Sequence, residues 1–177
     1  MRRNALTASC LAMLFQHDAA ERATGEAKKL YLTSGAELRC VWSNQLIQEN
    51  SLDVDHLIPF SEWPQNSLWN LLPSCRKVNN EKSNRVPARA QLEFARERTY
   101  ASWRLSAAKR QDDFYAQLQE DLGVSSAAGW ESRTFDEVSD RLSLLGIQRG
   151  LSEWTWSGLS RNGKGSQNQR RSPDKKC

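Results

Sequence analysis

The side chains able to do chemistry gather between residues 52 and 82. Asp53-Val54-Asp55-His56 sets two carboxylates beside an imidazole, Asn70 follows, and Asn79 and Lys82 come nine and twelve positions after Asn70. Residues 52–58 alternate and carry β-branched side chains, so they read as a strand that Pro59 ends. An acidic residue directly before a histidine points to the opposite face of a regular strand. A local turn uses that geometry, and so does a metal that one residue binds while the other faces substrate. On a helix, Asn79 and Lys82 share one face. A strand, loop and helix that deliver Asp, His, Asn and Asn to one point can hold one hard divalent cation through oxygen ligands and leave the imidazole free for proton transfer. Phosphodiester hydrolysis needs those parts: a cation that neutralises the scissile phosphate, and a neutral imidazole, of reference pKa about 6.5, that deprotonates water.

The flanking elements must position this set. Residues 4–30 read as a helix with Leu6, Cys10, Leu11, Leu14 and Phe15 on one stripe, Gly25 as a break or bend, and Ser34-Gly35 as a stop. Residues 38–48 read as a short strand, a turn at Ser43-Asn44 and a return. Residues 60–69 form a loop rich in Ser, Pro and Asn, and Asn70-Leu71-Leu72-Pro73 leads into a short helix over about 74–83. Val86-Pro87 marks a boundary, with Pro87 in the first turn of one long helix or two reaching about Asp121. Leu92, Ala95 and Trp103 form one packing stripe there; Phe114, Leu118 and Leu122 form another. Thr134 is the expected N-cap of a helix running to about Gly146, with Glu137 completing a capping box. Trp154 and Trp156 alternate as in an extended segment with one face buried, and the polar tail from Arg161 reads as disordered.

Composition bounds the partners. A chain of 177 residues fits one domain, with or without an appendage, and seven Trp and five Phe exclude wholesale disorder. No run approaches 18 apolar residues, which excludes a transmembrane helix, and the apolar stretch before Cys10 is too short for an export signal. The expected location is therefore cytoplasmic, without a membrane partner. Residues 1–75 carry net −2, 76–110 net +7, 111–160 net −6 and 161–177 net +5. A basic block and a basic tail around an acidic region point to a polyanion met by one face. His17 has no partner pattern and reads as a surface or core residue.

Residues 38–87 resemble an HNH endonuclease, a member of the ββα-metal nucleases. The resemblance rests on Cys40-Val-Trp-Ser as the opening hairpin, on Asp53-Val-Asp55-His56-Leu-Ile-Pro59-Phe-Ser61 as the catalytic strand, on Asn70-Leu-Leu-Pro, and on Asn79-Asn80-Glu-Lys82-Ser-Asn-Arg-Val-Pro87. It implies an α+β fold, a ββα core with a short hairpin and helix flanked by N- and C-terminal helices. It divides the chain into an N-terminal helical region (1–37), the nuclease core (38–87), a C-terminal helical region (88–160) and a basic tail (161–177).

By the same resemblance His56 is the general base and Asn70 orients it and ties the metal loop. Asp55 and Asn79 are metal ligands, with Asp53 a supporting acceptor. Lys82, Arg85 and Arg89 approach phosphate. The implied cofactor is one divalent ion, Mg²⁺ by default or Mn²⁺. Many such proteins carry two CxxC pairs for a structural zinc. Here Ser43 and Val78 stand where second cysteines belong, so no full zinc site is expected. The implied activity is metal-dependent hydrolysis of DNA. The alternative is a subunit of a larger defence or restriction complex that cuts only with a partner. A homodimer would suit double-strand cutting.

Overall fold

The structure, a computed structural model, describes residues 22–158. The apolar stripe of residues 6–15, His17 and the tail beyond residue 158 lie outside the described residues. The fold is α+β. Helix α1 spans Gly25–Leu32, strand β1 Leu52–His56, strand β2 Leu71–Cys75 and helix α2 Arg76–Lys82. Strand β3 (Val86–Pro87), helices α3 (Arg89–Lys109), α4 (Gln111–Leu122) and α5 (Trp130–Arg149), and strand β4 (Glu153–Trp154) follow.

Strands β1 and β2 pair antiparallel, with Leu52 opposite Cys75 and His56 opposite Leu71. The expected return of 38–48 is present as an antiparallel bridge between Arg39 and Leu46, with the turn made by Asn44 at φ 62°. This hairpin lies along the other edge of β2, where Val41 N–H donates to Pro73 O at 3.0 Å. A strand residue turns its nitrogen and its carbonyl to the same side. The ring nitrogen of Pro73 therefore faces away from β1, and the β1–β2 ladder loses no donor.

Four expectations are corrected. Residues 71–75 form a strand and the helix starts at Arg76 rather than at about residue 74, because this run is paired and buried between two neighbours. Residues 22–24, expected within the first helix, are not helical, and α1 begins at Gly25. Pro87 belongs to β3, which pairs in parallel with β4, and α3 starts two residues later. Thr134 lies inside α5, where its hydroxyl donates to Trp130 O at 2.8 Å; Gly129, in the left-handed region, holds the N-cap instead. Both stripes of residues 92–122 are buried as expected, one on α3 and one on α4.

The core joins the sheet to the helices. Trp42, Trp69, Trp103 and Trp154 are fully buried, and side chains of that size cover about 150–250 Å² each. Their polar ends set the register between elements. Trp103 Nε1 donates to Trp69 O at 2.7 Å, tying α3 to the turn that precedes β2. Tyr31 donates its hydroxyl to Leu71 O at 2.7 Å, tying α1 to β2. Gln91 and Arg98 on α3 donate to Trp42 O at 2.8 Å and Val41 O at 2.9 Å, which holds the hairpin.

Candidate active site

Strand alternation sends Asp53 and Asp55 toward α2. Asp55 is fully buried, and its Oδ2 accepts from Trp42 Nε1 at 2.6 Å. Lys82 Nζ reaches the same carboxylate at 3.1 Å and donates to His56 O at 2.8 Å. One turn earlier on α2, Asn79 Nδ2 donates to Asp53 Oδ2 at 2.8 Å. The strand and helix are thus joined by two rungs, a polar one and an ionic one. Burial raises the pKa of Asp55 above its usual value, against the opposing pull of Lys82, Trp42 and Arg22. Burial also lowers that of Lys82, against the Asp55 charge.

The His56 ring is at the end of β1 and has no solvent exposure. Its Nε2 is 3.1 Å from Asn66 Oδ1, and Arg22 Nε donates to its Nδ1 at 3.5 Å. Phe60 packs against the ring, with centroids 5.1 Å apart. Burial, joined by the nearby charges of Arg22 and Lys82, lowers its pKa to about 4 against the raising effect of the Asn66 hydrogen bond. The imidazole is neutral at pH 7, the form a proton acceptor requires.

Asn70 does not touch the His56 side chain through any of its hydrogen bonds. Its Oδ1 accepts Ile58 N–H at 2.8 Å and its Nδ2 donates to Ile58 O at 3.3 Å, which clamps the chain leaving β1 to the start of β2. Lys82, expected beside phosphate, is instead enclosed with Asp55, because a buried carboxylate needs a partner. Arg85 caps the end of α2 through the carbonyls of Lys82, at 3.3 Å, and Glu81. Arg89 is exposed on the first turn of α3.

The oxygens of Asp53, Asp55 and Asn79 suit a hard divalent ion in kind. In arrangement, the Lys82 ammonium holds the cationic position at Asp55, and among the described residues no three His, Cys, Asp or Glu side chains surround one point. Sequence reasoning missed Arg22, Trp42 and Asn66 as members of this site. Asn66 sits in a loop without periodicity, and Trp42 entered only as part of the opening hairpin.

A family model described as HNH endonuclease matches residues 40–88. This segment belongs to the HNH endonuclease family. The match begins at Cys40 in the hairpin, takes in β1, β2, α2 and β3, and ends just before α3. It supports nuclease activity for the HNH segment, on DNA as the family's substrate, with a divalent metal as the family's general cofactor. No curated protein matches the chain. Among the described residues no helix is long and apolar enough to cross a membrane.

Proposed function

We propose that the chain is a metal-dependent DNA endonuclease whose catalytic core is residues 38–87, with helical regions before and after it and a basic tail from residue 161. The observation that carries this reading is the buried His56 imidazole at the end of β1 within the HNH segment, hydrogen-bonded at both ring nitrogens. In this reading His56 takes a proton from water at Nδ1. The water oxygen attacks the phosphorus, the bond to the 3′-oxygen breaks, and that oxygen takes up a proton from solvent. The products carry 5′-phosphate and 3′-hydroxyl ends. Asp55 and Asn79 would hold the ion, Mg²⁺ or Mn²⁺, once Lys82 releases Asp55. When bound, a divalent ion neutralises charge on the scissile phosphate and stabilises the leaving oxygen. Asn70 supports the site by holding the backbone after His56. Arg85 and Arg89, at the end of α2 and the start of α3, would contact phosphates and add affinity without sequence choice.

A second reading, in which cutting waits for a partner, is favoured by the cover on His56. The base has no solvent exposure, and Arg22 lies against the nitrogen that water must reach. Nicking of supercoiled plasmid separates the readings. Wild type and His56→Ala are compared with Mg²⁺, with Mn²⁺ and with EDTA. Cutting by wild type that EDTA and His56→Ala each abolish supports the independent nuclease. A wild type that shifts DNA in a gel but fails to cut with either metal supports the partner-dependent reading. Cutting by His56→Ala at the wild-type rate overturns His56 as base.

A further inference from the structure

We propose that Asn66 is the positioning residue for His56, selecting the tautomer that leaves Nδ1 unprotonated and aiming the ring. This deepens the reading of His56 as general base and rests on it for its catalytic meaning. The argument begins with the identity of the Asn66 oxygen. Asn66 Oδ1 accepts the Ala23 N–H at 3.1 Å, which fixes it as the acceptor end of the amide. An amide oxygen has no proton to give. The His56 Nε2 that lies 3.1 Å from the same atom must therefore be the donor. A neutral imidazole carries one proton, so Nδ1 holds the lone pair. Arg22 agrees independently: its Nε is a donor only, and it points at Nδ1 from 3.5 Å.

The place of Asn66 is itself fixed. Ser67 Oγ and Trp69 Nε1 each donate to Asp121 Oδ2 on α4 at 2.7 Å. Leu68 N–H donates to Gln117 Oε1, one turn back on α4, at 2.8 Å. Gln65 also donates to Asp121. Four of the five residues from 65 to 69 are thus fastened to one helix, and Asn66, between them, faces the imidazole. Asn70 is committed to both backbone groups of Ile58 and is not available for this task. A ring held by an outer hydrogen bond keeps one tautomer and one orientation, and loss of such a partner costs about 10–100-fold in activity at comparable sites.

The test is nitrogen-15 NMR of the imidazoles in the full chain, read with plasmid nicking. The chain has two histidines, so a His17→Gln background leaves His56 as the reporter. We expect wild type to show a protonated Nε2 and an unprotonated Nδ1. Asn66→Ala shows averaged tautomers and kcat lower by about 10–100-fold, with KM for DNA within about twofold. Asn66→Asp keeps an acceptor oxygen and retains the wild-type tautomer. An unchanged tautomer in Asn66→Ala overturns the proposal whatever the activity. So does a wild-type ring protonated at Nδ1. A tautomer lost in Asn66→Ala, in a protein that does not cut even as wild type, upholds the positioning role and counts against the nuclease reading alone. Thermal melting of each variant identifies any that fails to fold, and Asn66→Ser then serves in place of Asn66→Ala.

Discussion

Lys82 Nζ lies 3.1 Å from the Asp55 carboxylate, and neither side chain has any solvent exposure. The two charges come from β1 and α2, so the pair is also the lock between this strand and its helix. Each group loses its hydration, and each supplies most of what the other has in its place. Trp42 Nε1 and His56 O complete the set of partners.

Breaking this pair from one side leaves the other charge buried alone. Lys82→Met is expected to lower unfolding stability by about 3–5 kcal/mol. Asp55→Asn falls in the same direction, and the double variant Asp55→Asn with Lys82→Met recovers part of the loss. Urea denaturation of the four proteins gives the coupling energy. A Lys82→Met stability equal to wild type would remove the ionic lock from the account.

In the proposed reading, where Asp55 holds the ion, the same pair sets metal affinity. Mg²⁺ that binds the native state alone raises Tm with its concentration. Asp55→Asn is expected to lose that rise. Lys82→Met enlarges it, measured from its own lower baseline, because the competing ammonium is gone. Stripping wild type with EDTA returns Tm to the metal-free value. A Mg²⁺ response that survives Asp55→Asn would place the ion elsewhere.

His56 makes stability depend on pH. Its pKa is lowered by burial to about 4, below the unfolded reference of about 6.5. The unfolded chain therefore binds the proton first, and stability rises with pH across this window. The contribution is present in full above pH about 6.5 and is lost as pH falls through about 4, a span of about 3 kcal/mol. The difference between wild type and His56→Gln unfolding profiles, taken from pH 7.5 to 4, isolates this group from Asp55, whose raised pKa works in the opposite sense. Parallel profiles would show that His56 is not the titrating residue.

Asp121 fastens the loop that carries Asn66. Asp121→Ala leaves Trp69 Nε1 and Ser67 Oγ without their acceptor and is expected to cost about 1–3 kcal/mol in chemical denaturation. Asp121→Asn retains an acceptor oxygen and keeps much of that stability. The amides of residues 66–69 should exchange hydrogen faster in Asp121→Ala than in wild type, while those of α5 keep their rates. Uniform acceleration across the chain would mean that Asp121 supports the whole fold rather than this loop.

Periodicity made much of the frame legible. The alternation of Leu52-Asp53-Val54-Asp55-His56 marks a strand, and the stripes of 92–103 and 114–122 mark buried helix faces. It failed where local signals compete with pairing. Asn70-Leu71-Leu72-Pro73 looks like a helix approach, yet neighbours on both edges draw 71–75 into a strand. Thr134 with Glu137 looks like a cap, yet Trp130 is buried and the helix extends back to include it.

What the amino-acid order determined by itself is the chemistry of residues 53–56 and the sides to which they point, because a strand has a period of two wherever it lies. The nearness of Asn79 and Lys82 on one helix face follows in the same way from helical spacing. Tertiary structure alone decided that Lys82 serves Asp55 from within, that Asn70 holds backbone, and that Asn66, Arg22 and Asp121 converge on His56 and its loop. Those contacts join residues 10 to 54 positions apart. Each depends on how elements and loops far apart in the chain are placed against one another, and no local period carries that placement.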